Sequence, residues 1–240
     1  NLEKGLELVP TDEYTKCIYI PIGVGVAVPP WNFPLSLIGG MVAAAVVTGN
    51  SIVCKPSSDS PIVAYKFVEL CEKAGIPAGV VNYIPGSGSD IGDYIVEHPL
   101  TRFINFTGSK AIGCRINEHA AKISKGQKWI KRVVAEMGGK NAIIVDSSAN
   151  IKKAAQGIAN SAFTFQGQKC SACSRAIVMS DVYDELVDAV VEEAKKLKAD
   201  QGAGRDNAAI GPVINQNAYN NITSYIEVGR KEGTIVYGGT

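Results

Sequence analysis

Short apolar runs that alternate with longer stretches of helical periodicity constrain this chain more than any other feature. Ser51-Ile52-Val53-Cys54-Lys55 reads as a buried strand, Pro61 to Ala74 as a helix closed by Gly75, and Val80 to Ile84 as a strand. Ser89 to Glu97 then reads as a helix, Arg102 to Phe106 as a strand and Ser109 to Ala121 as a helix. Units of strand, helix and strand require a parallel sheet covered on both faces, because each crossover lays a helix on the sheet. A second series begins near Ala135, with strands at Ala142 to Val145 and Ala176 to Met179 and helices at Ile151 to Ser161 and Val182 to Leu197. Asn215 to Glu232 is a further amphipathic helix. Leu6 to Pro21 follows a different alternation around Pro10-Thr11-Asp12 and reads as a two-stranded hairpin.

Composition narrows the function. With 240 residues, 46% hydrophobic and 20% charged, the chain can bury a substantial core. A formal net charge of +1 provides no bulk field for nucleic acid or anionic lipid. The longest apolar runs, such as Met41 to Val47, fall far short of a membrane span, so neither a nucleic-acid nor a membrane partner is expected. Residues 1–20 carry Asp12, Glu13 and Lys16 and lack a basic-then-apolar leader. The six cysteines are scattered, several inside apolar runs, which fits reduced thiols and a cytoplasmic setting, or a mitochondrial matrix in a eukaryote.

Two strings place reactive groups where a packed core would not choose them: Glu136-Met137-Gly138-Gly139-Lys140 and Phe165-Gln166-Gly167-Gln168-Lys169-Cys170. The glycine pair lets backbone come close to a neighbour, and a cysteine behind Gly-Gln-Lys sits in a polar, cationic stretch that favours thiolate. Cys170-Ser171-Ala172-Cys173 is also a C-x-x-C pair. Zinc would need two further ligands, and only His98 and His119 exist, so no metal is expected; a redox dithiol or two structural thiols are the rival readings. Pro85-Gly86-Ser87-Gly88-Ser89-Asp90-Ile91-Gly92 follows a strand and opens a helix, where backbone N–H groups favour a phosphate. Its glycine spacing departs from the dinucleotide fingerprint, and an ordinary turn is the competing reading. Phe106-Thr107-Gly108-Ser109 repeats the pattern, with Ser109 able either to cap the helix or to bond a phosphate.

Pro30-Trp31-Asn32-Phe33-Pro34, Lys55-Pro56, Phe106-Thr107-Gly108-Ser109, Glu136-Met137-Gly138-Gly139-Lys140 and Gly167-Gln168-Lys169-Cys170 stand in an order and at separations that resemble the NAD(P)-dependent aldehyde dehydrogenase superfamily. The resemblance runs from about Pro21 to the end of the chain. It implies a Rossmann-like NAD(P)-binding domain over 21–134, an incomplete α/β catalytic domain over 135–240, and an oligomerisation arm over 1–20 that pairs with a neighbouring subunit of a homo-oligomer. It implies a cofactor site of Pro30, Trp31, Lys55, Ser58, Gly86, Gly108, Ser109 and Ile112. Many NAD-preferring members carry glutamate where this chain has Ser58; a carboxylate there would repel a 2′-phosphate and serine would not, so NADP is expected to be tolerated beside NAD, with Asp59 able to restore part of the selection.

The resemblance also implies a mechanism in which Cys170 attacks an aldehyde, Asn32 stabilises the oxyanion and Glu136 activates water. Phe165 to Arg175 and Gly126 to Arg132 look like the branch that oxidises glutamate γ-semialdehyde formed from Δ1-pyrroline-5-carboxylate, with Lys169 and Ser171 as the expected anchor for its carboxylate. Another semialdehyde dehydrogenase, such as one for succinate semialdehyde, or a noncatalytic relative acting as a binding or structural protein, are the alternatives. The family normally extends beyond both ends of this chain, so a fragment is expected, with weak or no turnover as an isolated piece.

Overall fold

The computed structural model describes residues 4–7, 15–200 and 210–239. They form two compact units, Asn1–Met137 and Gly138–Thr240. The division falls a few residues later than the motif order implied, because the strand carrying Glu136 runs on to Met137 and pairs with the first unit's sheet through Gly108↔Met137.

The first unit opens with strands β1 (Leu6–Glu7) and β2 (Lys16–Cys17), which pair antiparallel; the turn between them lies outside the described residues. There follow β3 (Val24–Val28), α1 (Ser36–Val47), β4 (Ser51–Cys54), α2 (Pro61–Lys73), β5 (Val81–Tyr83), α3 (Asp93–Glu97), β6 (Thr101–Gly108), α4 (Lys110–Ala121) and β7 (Arg132–Met137). All five strands from β3 onward are parallel, in the order β5-β4-β3-β6-β7. The chain therefore winds outward from β3 on one side, crosses back and winds outward on the other, which is the doubly wound arrangement.

Period-two geometry sends alternate residues of β3 to opposite faces. Val26 joins Ile104, Phe106, Ile95 and Ile116 under α3 and α4, whereas Ala27 joins Ile52, Cys54, Ile38 and Val42 under α1 and α2. Sequence reading passed over β3 and α1. Both are made almost wholly of Val, Ala, Gly, Ile and Leu, so neither shows a polar face by which a period could be recognised.

The second unit pairs β8 (Asn141–Val145) with β9 (Cys173–Val178) in parallel, joined through α5 (Ile151–Phe163). α6 (Tyr183–Lys195) packs beside α5, and Val145, Ala155, Ile158 and Leu186 form their shared core. α7 (Gln216–Glu232) follows, its first turn capped by the Asn215 side chain, which accepts from the Ala218 N–H at 2.9 Å.

One buried polar residue joins the start of β3 to the end of α1. The Asn50 oxygen accepts from the Ile22 and Gly23 N–H groups at 2.8 and 3.0 Å, and its nitrogen donates to the Thr48 hydroxyl at 2.9 Å and the Ala45 carbonyl at 3.3 Å. Asn50→Ala strips the acceptor from two part-buried backbone donors. Stability should fall by about 2–3 kcal/mol, read as a lower denaturant midpoint with an unchanged slope.

Candidate nucleotide cleft and thiol loop

In a doubly wound sheet, the chains leaving two neighbouring central strands pass to opposite faces and open a crevice beyond the strand ends. Here that point lies between β3 and β6, because α1 covers one face and α4 the other. The segment leaving β3 is Pro29 to Phe33, with Pro30, Trp31 and Asn32 all partly buried. Asn32 bends the chain toward α1 by accepting the Phe33 N–H on its own Oδ1 at 3.1 Å. The segment leaving β6 is Gly108-Ser109. Ser109 caps α4, its hydroxyl accepting from the Ile112 N–H at 3.4 Å, which is the outer limit of a useful hydrogen bond. Helix α4 is three turns long, so its first turn offers backbone donors and the positive end of a dipole.

Lys55 follows β4 and is 6% exposed. Its ammonium donates to the carbonyls of Pro56 and Gly86, each at 3.1 Å, so one cation joins the loops that follow β4 and β5. Burial lowers its proton affinity below that of a free lysine.

Beside Lys55 lies a cavity of about 430 Å³ walled by Val28, Gly88, Ser89, Ile95, Ile112 and Ile116, with Asp93 and Arg115 at its polar edge. Arg115 grips Asp93 through two nitrogens at 3.0 and 2.5 Å, and this contact lowers the proton affinity of the carboxyl below its ordinary value. Its walls suit a flat, largely apolar ring.

The expected helix from Ser89 to Glu97 takes a different form. Gly88–Gly92 is a single widened turn of i→i+5 bonds, and regular helix extends only over the five residues of α3. Ser87 caps that turn by accepting from the Asp90 N–H at 3.2 Å, and Asp90 sets a carboxylate at its mouth. So short a helix, fronted by an anion, is a poor phosphate site; Gly88 and Ser89 instead line the apolar cavity. Ser58 and Asp59 are exposed before α2, where the Asp59 N–H donates to the Ser57 hydroxyl at 3.3 Å.

Glu136 lies on the edge strand β7, opposite Thr107. Alternation turns Val133 and Ala135 onto the core and leaves Glu136 exposed on the other face with Arg132 and Val134.

Cys170 belongs to the second unit, on the loop between α5 and β9, and it is exposed, as is Ser171. Cys173 is buried at the head of β9, its N–H donating to the Ser161 hydroxyl at 3.1 Å. The Cys170 carbonyl accepts from the Asn141 amide at 2.9 Å. A Cβ on Gly139 would lie 3.2 Å from that same carbonyl, so the second glycine of the Gly-Gly pair admits the thiol loop. Before Cys170 the backbone is left-handed at Phe165, Gln166 and Gly167, with φ of 58°, 58° and 65°. The two non-glycine residues cost on the order of 1–3 kcal/mol each, a cost the surrounding contacts must offset. Lys169 turns back toward α5, where its ammonium donates to the Thr164 hydroxyl at 3.3 Å.

Several residues that shape these sites gave no signal to a reading by motif: Asn141 under the thiol loop, the Asp93–Arg115 pair at the cavity edge, and Ile214, the partner of Gln168. Each depends on a contact across tens of residues. Among the described residues no cluster of three or more His, Cys, Asp or Glu could hold a metal, and no helix is long and apolar enough to cross a membrane.

Comparison with known proteins agrees with this architecture. The 1-pyrroline-5-carboxylate dehydrogenase of Geobacillus sp. strain WCH70 is 56% identical over 227 residues, 95% of this chain and 44% of that protein. That of Geobacillus kaustophilus is 57% identical over the same share. The chain thus spans less than half the length of these curated relatives. Among solved structures, a 1-pyrroline-5-carboxylate dehydrogenase from Thermus with bound NAD superposes with a TM-score of 0.94 at 43% identity, covering 98% of this chain and 45% of that one. Proline utilization A from Bdellovibrio bacteriovorus superposes with a TM-score of 0.95 at 43% identity, over 99% of this chain and 25% of that one. The model of the aldehyde dehydrogenase family matches residues 3–240, and the chain belongs to that family.

Proposed function

We propose that this chain is part of an NAD(P)-dependent aldehyde dehydrogenase that oxidises glutamate γ-semialdehyde, the opened form of Δ1-pyrroline-5-carboxylate, to glutamate in proline degradation. The observation that carries the reading is an exposed thiol on a braced loop, in a chain 56% identical to a protein named for this activity.

An aldehyde carbon releases hydride only once it is tetrahedral. In the proposal Cys170, as thiolate, adds to the carbonyl carbon, and the carbonyl oxygen takes the negative charge. The Asn32 amide nitrogen and the Cys170 backbone N–H donate to that oxygen; one such donor is worth about 10²–10³-fold in rate. The dinucleotide, when bound, supplies the hydride acceptor, and a Cys170 thioester is left. Glu136 removes a proton from water, the hydroxyl adds to the thioester carbon, and the thiolate departs as the carboxylate product is released. Lys169 and Ser171 act on the substrate carboxylate, the lysine by exchanging its Thr164 partner for the stronger charged acceptor.

The cavity beside Lys55 is the proposed adenine seat, bounded by Ile112. Ser109 and the first turn of α4 take the pyrophosphate, and Lys55 and Ser58 the adenosine ribose. Gly86, Gly108, Pro30 and Trp31 line the rest of the cleft. A lysine whose Nζ already holds the Gly86 carbonyl, next to a cavity of ring size, supports that fit. With serine rather than a carboxylate at position 58, NAD is the expected cofactor and NADP is accepted as well. The arm over 1–20 is proposed to pair with a neighbouring subunit of a homo-oligomer in a cytoplasmic or matrix setting.

Cys170→Ser in the intact protein should abolish NADH formation from pyrroline carboxylate, and Asn32→Ala should lower kcat by about 10²–10³-fold. Glu136→Gln should leave the first turnover and slow the rest, so that mass spectrometry finds an acyl group on Cys170. Full steady-state activity in Cys170→Ser would remove the mechanism. Ser58→Glu should depress NADP use at least about 10-fold relative to NAD, read as the ratio of kcat/KM values. Brief alkylation at neutral pH should modify Cys170 and spare Cys54, whose thiol is pushed up to about 12 by burial and by its neighbour Cys71.

A further inference from the structure

The left-handed turn before Cys170 does not hold itself. The Gln168 N–H closes it by donating to the Phe165 carbonyl at 3.0 Å, but that bond leaves the direction of the following residues unset. What sets it comes from far along the chain. The Gln168 side-chain oxygen accepts from the Ile214 N–H at 3.0 Å, 46 residues away. Its amide nitrogen in turn donates to the Gln166 side-chain oxygen at 3.1 Å, inside the same turn.

The receiving strip is itself anchored. The Ile210 N–H donates to the Lys198 carbonyl at 3.1 Å, and the Asp200 N–H donates to the Ile210 carbonyl at 3.0 Å. At its other end Asn215 caps α7. The Gln168 carboxamide thus fastens a strained turn to an anchored backbone strip, and Cys170 stands two residues beyond it.

We propose that Gln168 is a positioning residue: it latches the thiol loop to the backbone at Ile214 and thereby fixes where the Cys170 sulfur points. The inference rests on Cys170 being the nucleophile. Gln168 does not touch the reacting atoms; it acts through the backbone it holds. The latch keeps the left-handed turn from relaxing toward the right-handed basin, a change that would swing the chain at Lys169 and Cys170. Misplacing a nucleophile by about 1 Å costs on the order of 10²-fold in the bond-forming step and little in substrate binding.

The test uses the intact enzyme. Gln168→Met keeps the length of the side chain and removes the acceptor; Gln168→Glu keeps the acceptor. With active sites titrated by alkylation of Cys170, kcat per titrated site should fall about 10- to 100-fold in Gln168→Met with KM for the aldehyde within about twofold. Gln168→Glu, assayed at its own pH optimum, should recover most of the loss. Ile214→Pro removes the donor and leaves Gln168 in place, so it should reproduce the Met phenotype, and the double variant should be no worse than either single one. A kcat per site equal to wild type in either folded single variant overturns the inference. So does a loss confined to thermal stability and to the fraction of titratable sites. Should Cys170→Ser retain activity, the nucleophile assignment itself fails, and that outcome is separate from any result at Gln168.

Discussion

Everything in the first unit depends on one strand being buried on both faces. β3 carries Val26 into one core and Ala27 into the other, and it lies between β4 and β6 in parallel register with both. A strand in that position can have no polar face, and no ordinary reversal can connect it to its neighbours. The chain must leave it over the top, once toward α1 and once, by way of β6, toward α4. The crevice between those departures follows from the winding and precedes any choice of cofactor. Pro30, Trp31 and Asn32 on one side and Gly108 and Ser109 on the other are the residues the winding delivers there.

The sequence was most legible where an element has one wet face. α2 and α5 each show an apolar stripe against charged positions, and both were read to within a residue or two of their bounds. β3 and α1 escaped because a doubly covered strand and a helix of small apolar residues leave periodicity nothing to contrast. The segment after β5 is helical over 88–97, close to the expected bounds, and departs only in its first turn. Its glycines and serines permit a helix start, but Gly88–Gly92 winds one residue too wide, and no local propensity scale separates the two.

The proposed site residues divide in the same way. Cys170, Glu136 and Asn32 could be named because each sits inside a short string with its own chemistry. The support beneath the thiol could not. Asn141 reaches the Cys170 carbonyl across 29 residues, and Gln168 reaches Ile214 across 46. Gln168 was visible in the motif as a letter; its work depends on a partner that only the folded chain supplies.

The short helix α3 carries a consequence for the cavity it lines. Five residues cannot sustain a helix in water, so this wall of the cavity is held from outside. Part of that hold is the ion pair of Arg115 with Asp93, beside a hydrogen bond between His119 and Glu97 at 2.8 Å, both reaching from α4. Partly exposed charge pairs weaken as dissolved salt rises, over a screening length of about 10 Å at 0.1 M. One wall of the apolar cavity is thereby held in part by an ion pair whose strength falls as the ionic strength of the medium rises.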